Sequence, residues 1–478
     1  MIEKEAQGIL FIPEIAGLDA RSSIIRVPPE LDVPLTPRVR RIIDSVAFRR
    51  LSQVSQLGFV RLVYPGATHT RFEHSLGVYR LALLWLKRLA YDPRFTSLLR
   101  KNEAETLILA ALLHDVGHFP YCHLLEDLKI PGLASHEQTA EEYVLGELAE
   151  SIRHDWHIDP LHVCDVLMKR PPERLSEESD SEYDRRKKVF RLLASILSGP
   201  IDVDKMDYLM RDSHGAGVPY GKNYDLDRLV GSVCLNESGD GIAISNKGKT
   251  AAELMVFARY VMFSEVYWHH TSRAATVMFQ RAIHFLGNKF SGEKLLSDVR
   301  RLSDRQMEHY LLKLCESDDA QSASQKERHD GQAASKLLKA VFGTERRLFK
   351  RLREFSSMEA PSLYQRIAGR PYQDVCLISD ALAAKLQVKA EQLLIDAPPV
   401  DKEVEFKIDV YYPHEGVYRP LSEVSPVVRA LAREQFDDYV KRVRIFAEPS
   451  VAPRLKSISS LDRELEETLD SFDRESRV

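Results

Sequence analysis

The sequence predicts a mainly α protein: a large helical core with one short β-hairpin, followed by a smaller α+β lobe. Three observations predict it. Apolar residues recur at helical spacing through most of the first 290 or so residues. Within that stretch one pair of short runs reads as a hairpin, Val233–Leu235 and Ile242–Ile244 around Ser238-Gly239-Asp240-Gly241. After about residue 370 the character changes, and Val404, Phe406, Ile408 and Val410 alternate with charged residues as a half-buried strand does. A chain of 478 residues with 44% hydrophobic residues is long enough for one large domain or more than one.

In order along the chain, residues 1–36 carry prolines at 13, 28, 29 and 34 and read as an irregular or strand-like lead-in. From Arg38 to Leu57 the pattern is helical, with Gly58 as its stop. A second helix is expected from Arg71 to Tyr91, ended by Asp92-Pro93, and a third from Asn102 to the stretch Leu-Leu-His-Asp-Val-Gly-His at 112–118. Ser135 reads as an N-cap, with Gln138 completing a capping box. Residues 170–188 read as a surface loop, 189–212 as helical apart from Gly199-Pro200, and 213–232 as irregular. Ala251 to about Phe290 reads as one long helix. Val375–Ile378, Leu393–Ile395 and Val443–Phe446 read as strands, and Ser425-Pro426 opens a helix with proline at its first position. These readings divide the chain into a lead-in (1–36), a helical core (37–310), a helical connection with a mobile loop at 316–333 (311–370), an α+β lobe (371–450) and a charged, frayed tail (451–478).

The composition narrows the class. A formal charge of −4 argues against a dedicated nucleic-acid binder. Five scattered cysteines with no CxxC spacing read as reduced thiols of a cytoplasmic protein. The N-terminus has no signal-peptide pattern, and no apolar run reads as a membrane span.

An adjacent His-Asp pair at the end of a buried helix is costly unless something compensates it, and a bound metal ion would. His118 lies four residues beyond His114 and would share its face on a continuing helix. His74, His114, Asp115 and one carboxylate of Ile201-Asp-Val-Asp-Lys-Met-Asp-Tyr could complete a site of two imidazoles and two carboxylates. Such a set suits Fe, Mn, Zn or Mg. If 201–212 is a helix, Asp204, Tyr208, Arg211 and Asp212 share one face.

The ordered pattern His…His-Asp…Asp resembles the HD-domain metal-dependent phosphohydrolases. The surrounding words are similar to those of the deoxynucleoside triphosphate triphosphohydrolases: Gln-Leu-Gly, Pro-Gly-Ala-Thr-His, Arg71-Phe-Glu-His-Ser-Leu-Gly, Leu-Leu-His-Asp-Val-Gly-His-Phe-Pro-Tyr-Cys-His, His136-Glu-Gln and Ile-Asp-Val-Asp-Lys-Met-Asp-Tyr-Leu-Met-Arg-Asp. The similarity covers residues 37–290 well and the C-terminal lobe loosely. It implies an HD-domain helical core and metal ligation by His74, His114, Asp115 and Asp204, with Asp202 and Asp207 as competing choices. It implies that His118, His123 and His136 face the phosphates, that His123 and His136 serve protonation of the leaving oxygen or a second metal ion, and that Glu137 orients His136. Arg71 and Lys205 would hold phosphate oxygens. Gln56 and Leu57 would read the deoxyribose, Tyr208 and Asp212 would lie near the sugar, and Tyr267 and His269 beside sugar and base.

The activity so implied is hydrolysis of a dNTP to a deoxynucleoside and inorganic triphosphate, with a divalent metal as cofactor. The resemblance also implies a homo-oligomer, tetramers being common in the family. Where relatives carry a word tied to a guanine-nucleotide activator, this chain reads Arg26-Val-Pro-Pro-Glu, which argues against a GTP site and leaves another activator open. Two alternatives stand beside this reading. One is an HD-type nucleotide phosphatase or phosphodiesterase releasing phosphate or a linear nucleotide. The other is a non-catalytic nucleotide sensor or nucleic-acid-binding scaffold.

Overall fold

The structure, a computed structural model, describes residues 8–20, 23–29, 31–290, 297–316, 325–399, 407–434 and 440–475. It is mainly helical, with three small sheets among the described residues. No helix of the described residues is long and apolar enough to cross a membrane. The chain forms two compact units: Met1–Pro120 with Ala134–Met262 and Val404–Glu434, and Tyr121–Leu133 with Phe263–Glu403 and Gln435–Val478.

In the first unit, an antiparallel ribbon pairs Ile24–Val27 with Leu31–Pro34. Helix Arg71–Leu89 is buried over most of its surface and packs against helices Lys101–Leu113 and Val203–Ala216. Ala104 to Leu113 is buried at every position, so this helix runs through the unit's core. The expected hairpin forms, pairing Val233–Leu235 with Ile242–Ser245. It extends into a four-stranded sheet because Ile244 pairs in parallel with Val410, and Asp409–Tyr412 pairs with Val417–Pro420. Val404 and Phe406, expected in that strand, lie outside the described residues.

In the second unit, strand Val443–Ala447 lies between Lys350–Phe355 and Leu393–Asp396, antiparallel to both. Helices Pro361–Ile367, Tyr372–Lys385 and Leu461–Glu475 close an apolar core with this sheet around Phe355, Ile378, Leu382, Ile445, Leu465 and Leu469.

Several elements differ from the sequence expectation. The run 38–57 is not one helix: Thr36 caps Pro37–Ile43, Ser45 caps Val46–Arg49, and a 3-10 turn follows. The second cap, where Ser45 Oγ accepts from the Phe48 amide at 3.2 Å, restarts the chain in a new direction. Ser179 likewise caps a helix at Asp180–Ser198, inside the expected loop 170–188. Within 213–232, helix persists to Ala216 and resumes at Leu226–Ser232. The expected helix Ala251–Phe290 is interrupted by a π turn at Phe263–Tyr267 and restarts at His270. Of the expected mobile loop 316–333, residues 325–333 are helical, within Gln325–Phe342, and 317–324 lie outside the described residues. Val375–Ile378 is helical, inside Tyr372–Lys385. The expected frayed tail holds helices Ala452–Lys456 and Leu461–Glu475.

Candidate metal centre

Three helix termini build the site. Thr70 and Glu73 close a capping box at the start of Arg71–Leu89, with the Thr70 amide donating to Glu73 Oε2 at 2.7 Å. That box fixes Arg71 and His74 in the first turn. Helix Lys101–Leu113 ends with His114 as its C-cap, so Asp115 and His118 lie on a turn beyond it. Asp202 caps Val203–Ala216, its Oδ1 accepting from the Lys205 amide at 2.7 Å, which places Asp204 in the first turn.

The ligand atoms offered by His74, His114 and Asp204 all lie within 4.8 Å of one another. His74 Nε2 is 3.1 Å from His114 Nε2 and 3.0 Å from Asp204 Oδ1. His114 Nε2 is 3.6 Å from Asp204 Oδ1. Asp115 approaches both rings, Oδ2 at 3.7 Å from His74 Nε2 and Oδ1 at 3.5 Å from His114 Nε2. Atoms bonded to one metal at about 2.0–2.2 Å stand roughly 3.0–3.5 Å apart for right-angled to tetrahedral arrangements, so this spacing fits a single ion.

Proton placement makes the same point. His114 Nδ1 lies 3.0 Å from the Ala111 carbonyl, which can only accept. His74 Nδ1 lies 2.8 Å from the Asp207 carboxylate. Both rings therefore donate from Nδ1, and in their neutral forms two Nε2 lone pairs face each other. A cation relieves that repulsion. Without a metal ion, a second proton on His74 does so. Burial opposes the charge, but the Asp204 and Asp207 carboxylates outweigh it and push His74 up to about 10.

The three aspartates of the 201–207 segment have separate partners. Asp202 is buried and is occupied by its cap and by Lys205 Nζ at 2.6 Å. Asp207 is held by Arg211 through two parallel bonds of 2.7 and 2.8 Å, and it orients His74 from behind. Asp204 is the one of the three that faces both Nε2 atoms. Arg211 thus turns to Asp207 and does not share the Asp204 strip expected from spacing. Its Nη1 donates to the Pro28 carbonyl at 2.6 Å.

Burial disfavours the Asp207 carboxylate, but Arg211 and His74 hold its pKa below the ordinary aspartate value. Its stability contribution is therefore complete above about pH 4 and is lost as pH falls through the depressed folded value. Asp207→Asn should flatten the acid limb of a stability–pH curve measured by circular dichroism. An unaltered limb would show that the pair contributes nothing.

His118 does not share a helical face with His114, because the helix stops at Leu113. Its Nδ1 lies 3.1 Å from Asp115 Oδ1, and burial beside the Arg71 cation holds its pKa well below the usual histidine value. Arg50, which the sequence did not single out, donates to the carbonyls of Val116 and His118 and clamps this turn. The His118 and His136 rings lie face to face at a tilt of 36°, with centroids 4.1 Å apart. Gly117 makes that approach possible: a Cβ there would sit 1.9 Å from the His136 carbonyl oxygen. His136 opens its helix as expected, with Ser135 and Gln138 forming the capping box, and Glu137 Oε1 lies 3.3 Å from His136 Nε2.

Arg71 is buried and donates to Asp115 Oδ2 at 2.6 Å, so it braces a carboxylate of the site as well as carrying charge into it. Gln56 and Leu57 precede a 3-10 turn, and Gln56 Oε1 is buried without a partner among the described residues. Asp212 is buried and bonds His69 Nε2 at 2.8 Å. Tyr208 is half-buried on the same helix, one turn from both Asp204 and Asp212, and burial pushes its phenol up to about 12.

The remaining three expected site residues belong to the second unit. His123 is exposed on helix Cys122–Glu126, 3.3 Å from Glu126. Tyr267 ends the π turn, edge-on to Phe263 at 5.0 Å. His269 is the N-cap of His270–Leu286, its Nδ1 accepting from the Thr271 amide at 3.2 Å.

Comparison with known proteins gives two family matches: residues 71–184 match the HD domain, and residues 224–461 match the HD associated region. An uncharacterized protein of Methanocaldococcus jannaschii is 36% identical over 262 residues, 54% of this chain and 49% of that one. Deoxynucleoside triphosphate triphosphohydrolase SAMHD1 of Gallus gallus is 30% identical over 301 residues, 58% of this chain and 48% of that one. The chain thus spans about half the length of these curated relatives. The crystal structure of a hypothetical protein from Aquifex aeolicus superimposes with a TM-score of 0.65 at 26% identity, over 91% of this chain and 98% of that one.

Proposed function

Since the chain is an HD-domain protein with the HD associated region, related to the SAMHD1 triphosphohydrolases, we propose that it hydrolyses deoxynucleoside triphosphates to deoxynucleoside and inorganic triphosphate. The observation that carries this reading is the convergence of two inward-facing imidazole Nε2 atoms with Asp204, beside Asp115. In this proposal His74, His114, Asp115 and Asp204 hold one divalent ion, Fe, Mn, Zn or Mg. When bound, the ion supplies positive charge to a phosphate oxygen and makes water a usable nucleophile near neutral pH.

The protein groups do the rest. Hydrolysis forms a bond from water oxygen to the α-phosphorus and breaks the bond from phosphorus to the sugar 5′ oxygen. The departing oxygen takes a proton, and His136, kept beside the Glu137 carboxylate, is a donor of the right kind. His136 also sits at the first position of its helix, where the peptide dipoles favour an anion. Arg71 and Lys205 add fixed positive charge for the phosphates. Gln56, with a buried acceptor still to be satisfied, is suited to the sugar end.

Purified protein incubated with Mn²⁺ or Mg²⁺ and each dNTP should release deoxynucleoside and triphosphate in equal amounts, resolved by ion-exchange chromatography. Release of orthophosphate alone, or no turnover with or without added nucleotides, would overturn the proposal.

A further inference from the structure

His69 closes the Pro-Gly-Ala-Thr-His word, and its ring bonds Asp212. Its position is unusual in serving two expected sugar-reading residues at once. An isolated antiparallel bridge joins Ser55 to Thr70, and within it the His69 carbonyl accepts from the Gln56 amide at 3.1 Å. The Arg71 amide bonds the Val54 carbonyl at 3.0 Å in the same bridge. The backbone of Gln56 is thereby fixed to the backbone of His69. The His69 ring then reaches the other way, with Nε2 2.8 Å from Asp212 Oδ1. Gln56 and Asp212 are 156 residues apart in sequence, and His69 bonds both.

The ring itself has little freedom. Its side chain is 11% exposed and that of Asp212 is 2% exposed. A Cβ at Gly215 would fall 2.5 Å from His69 Nδ1, so the next turn of the Asp212 helix backs the ring directly. Nδ1 is buried with no partner among the described residues. The proton of the neutral ring is best used on Nε2, where it meets the carboxylate. Asp212 lies eight residues beyond Asp204 on one helix, about 12 Å along its axis. That places the Asp212 end away from the metal ligands, where the sugar of a nucleotide held by its phosphates would extend.

We propose that His69 is a positioning residue for sugar recognition. It holds Gln56 through its carbonyl and Asp212 through Nε2, so that both side chains meet the deoxyribose in one register. This rests on the dNTP reading above. The inference concerns specificity, because His69 contacts neither His74, His114 nor Asp204 among the bonds described.

The test compares wild type with His69→Leu, His69→Gln and Gly215→Ala. Leucine removes the Nε2 donor, glutamine can return an amide N–H to nearly the same place, and an alanine at 215 displaces the ring while keeping it. His69→Leu and Gly215→Ala should raise KM for dNTPs about tenfold or more, as loss of one hydrogen bond to a charged group does, with kcat falling less. Both should narrow the preference for dNTP over rNTP, and His69→Gln should recover most of both losses. Metal content, read by elemental analysis, should match wild type in all three. A lower melting temperature with unchanged KM and unchanged dNTP preference would reduce His69 to a structural role and overturn the inference. So would loss of metal in His69→Leu, or failure of His69→Gln to recover. Absence of triphosphate release by the wild-type protein identifies the other failure, that of the dNTP reading, and the inference falls with it.

Discussion

Asp204→Ala should abolish triphosphate release and empty the proposed metal site, whereas Asp202→Ala should leave the metal in place and lower the melting temperature. That contrast is expected because the two neighbours have different work. Asp204 Oδ1 is 3.0 and 3.6 Å from the two facing imidazole nitrogens. Its removal takes away a ligand and the carboxylate that balances an ion there. Asp202 is an N-cap, and losing a cap costs about 1 kcal/mol. Asp207→Asn should fall between them, with a roughly 10–100-fold loss in metal affinity or rate, typical of an outer partner of a ligating histidine. Metal content, triphosphate release and thermal melts on the three variants would check the order. Retention of metal by Asp204→Ala, or loss of it in Asp202→Ala, would mean that the wrong carboxylate has been chosen.

Arg211→Leu should be the most destabilising single change near the site, by about 3–5 kcal/mol, because it takes the two-pronged guanidinium from the buried Asp207 carboxylate and leaves the His74 imidazole as its charged partner. That is a large share of the stability of an ordinary domain. Gly77→Ala should act on the same pair by a different route. A Cβ at Gly77 would lie 1.8 Å from Asp207 Oδ1 and 2.4 Å from Arg211 Nη2, so the ion pair and the methyl cannot coexist. The double variant Asp207→Asn/Arg211→Leu removes both charges and should recover part of the loss in Arg211→Leu. Chemical denaturation of the metal-free proteins would measure all three. Equal stability of Arg211→Leu and the double variant would show that the buried Asp207 charge is not the cause.

Much of the candidate site was legible because the proposed ligands and the helix caps are local words. His74 follows a capping box, His114-Asp115 ends a continuous apolar run, and Ser135 to Gln138 announces its own helix. The choice among Asp202, Asp204 and Asp207 was not settled by spacing, since each could face a cleft. A fold was needed to show that Lys205 and Arg211 occupy two of them. The face expected to be shared by His114 and His118 is absent because an i, i+4 argument holds only while the helix continues, and this helix ends at Leu113, ahead of Gly117. Arg50 carried no signal of its own, and His69 was visible only as part of a longer word: their partners are main-chain carbonyls and residues far away in sequence.

The fold was less legible towards the C-terminal end. Val375–Ile378 is a four-residue apolar run, and so short a window does not separate strand from helix. Over the full span Val375, Ile378, Ser379, Leu382 and Ala383 are buried, which is helical spacing. The charged segment 461–475 hid its apolar stripe in the same way. Leu461, Leu465 and Leu469 recur every four residues and are buried, while Arg353–Asp462, Arg366–Asp473 and Lys385–Glu467 ion pairs tie the charged faces down. Terminal position and charge suggested fraying, but the pairing partners lie earlier in the chain.

The bond from Arg211 to the Pro28 carbonyl gives the N-terminal ribbon a second meaning. A relay runs from the ribbon's turn through Arg211 and Asp207 to His74 Nδ1. A shift of the ribbon would change how firmly Asp207 draws on the imidazole proton, and so how strongly His74 would donate to an ion in the proposed site. In the proposed metal site, ion preference would thereby be open to adjustment by substitutions at a surface turn, with the four proposed ligands unchanged.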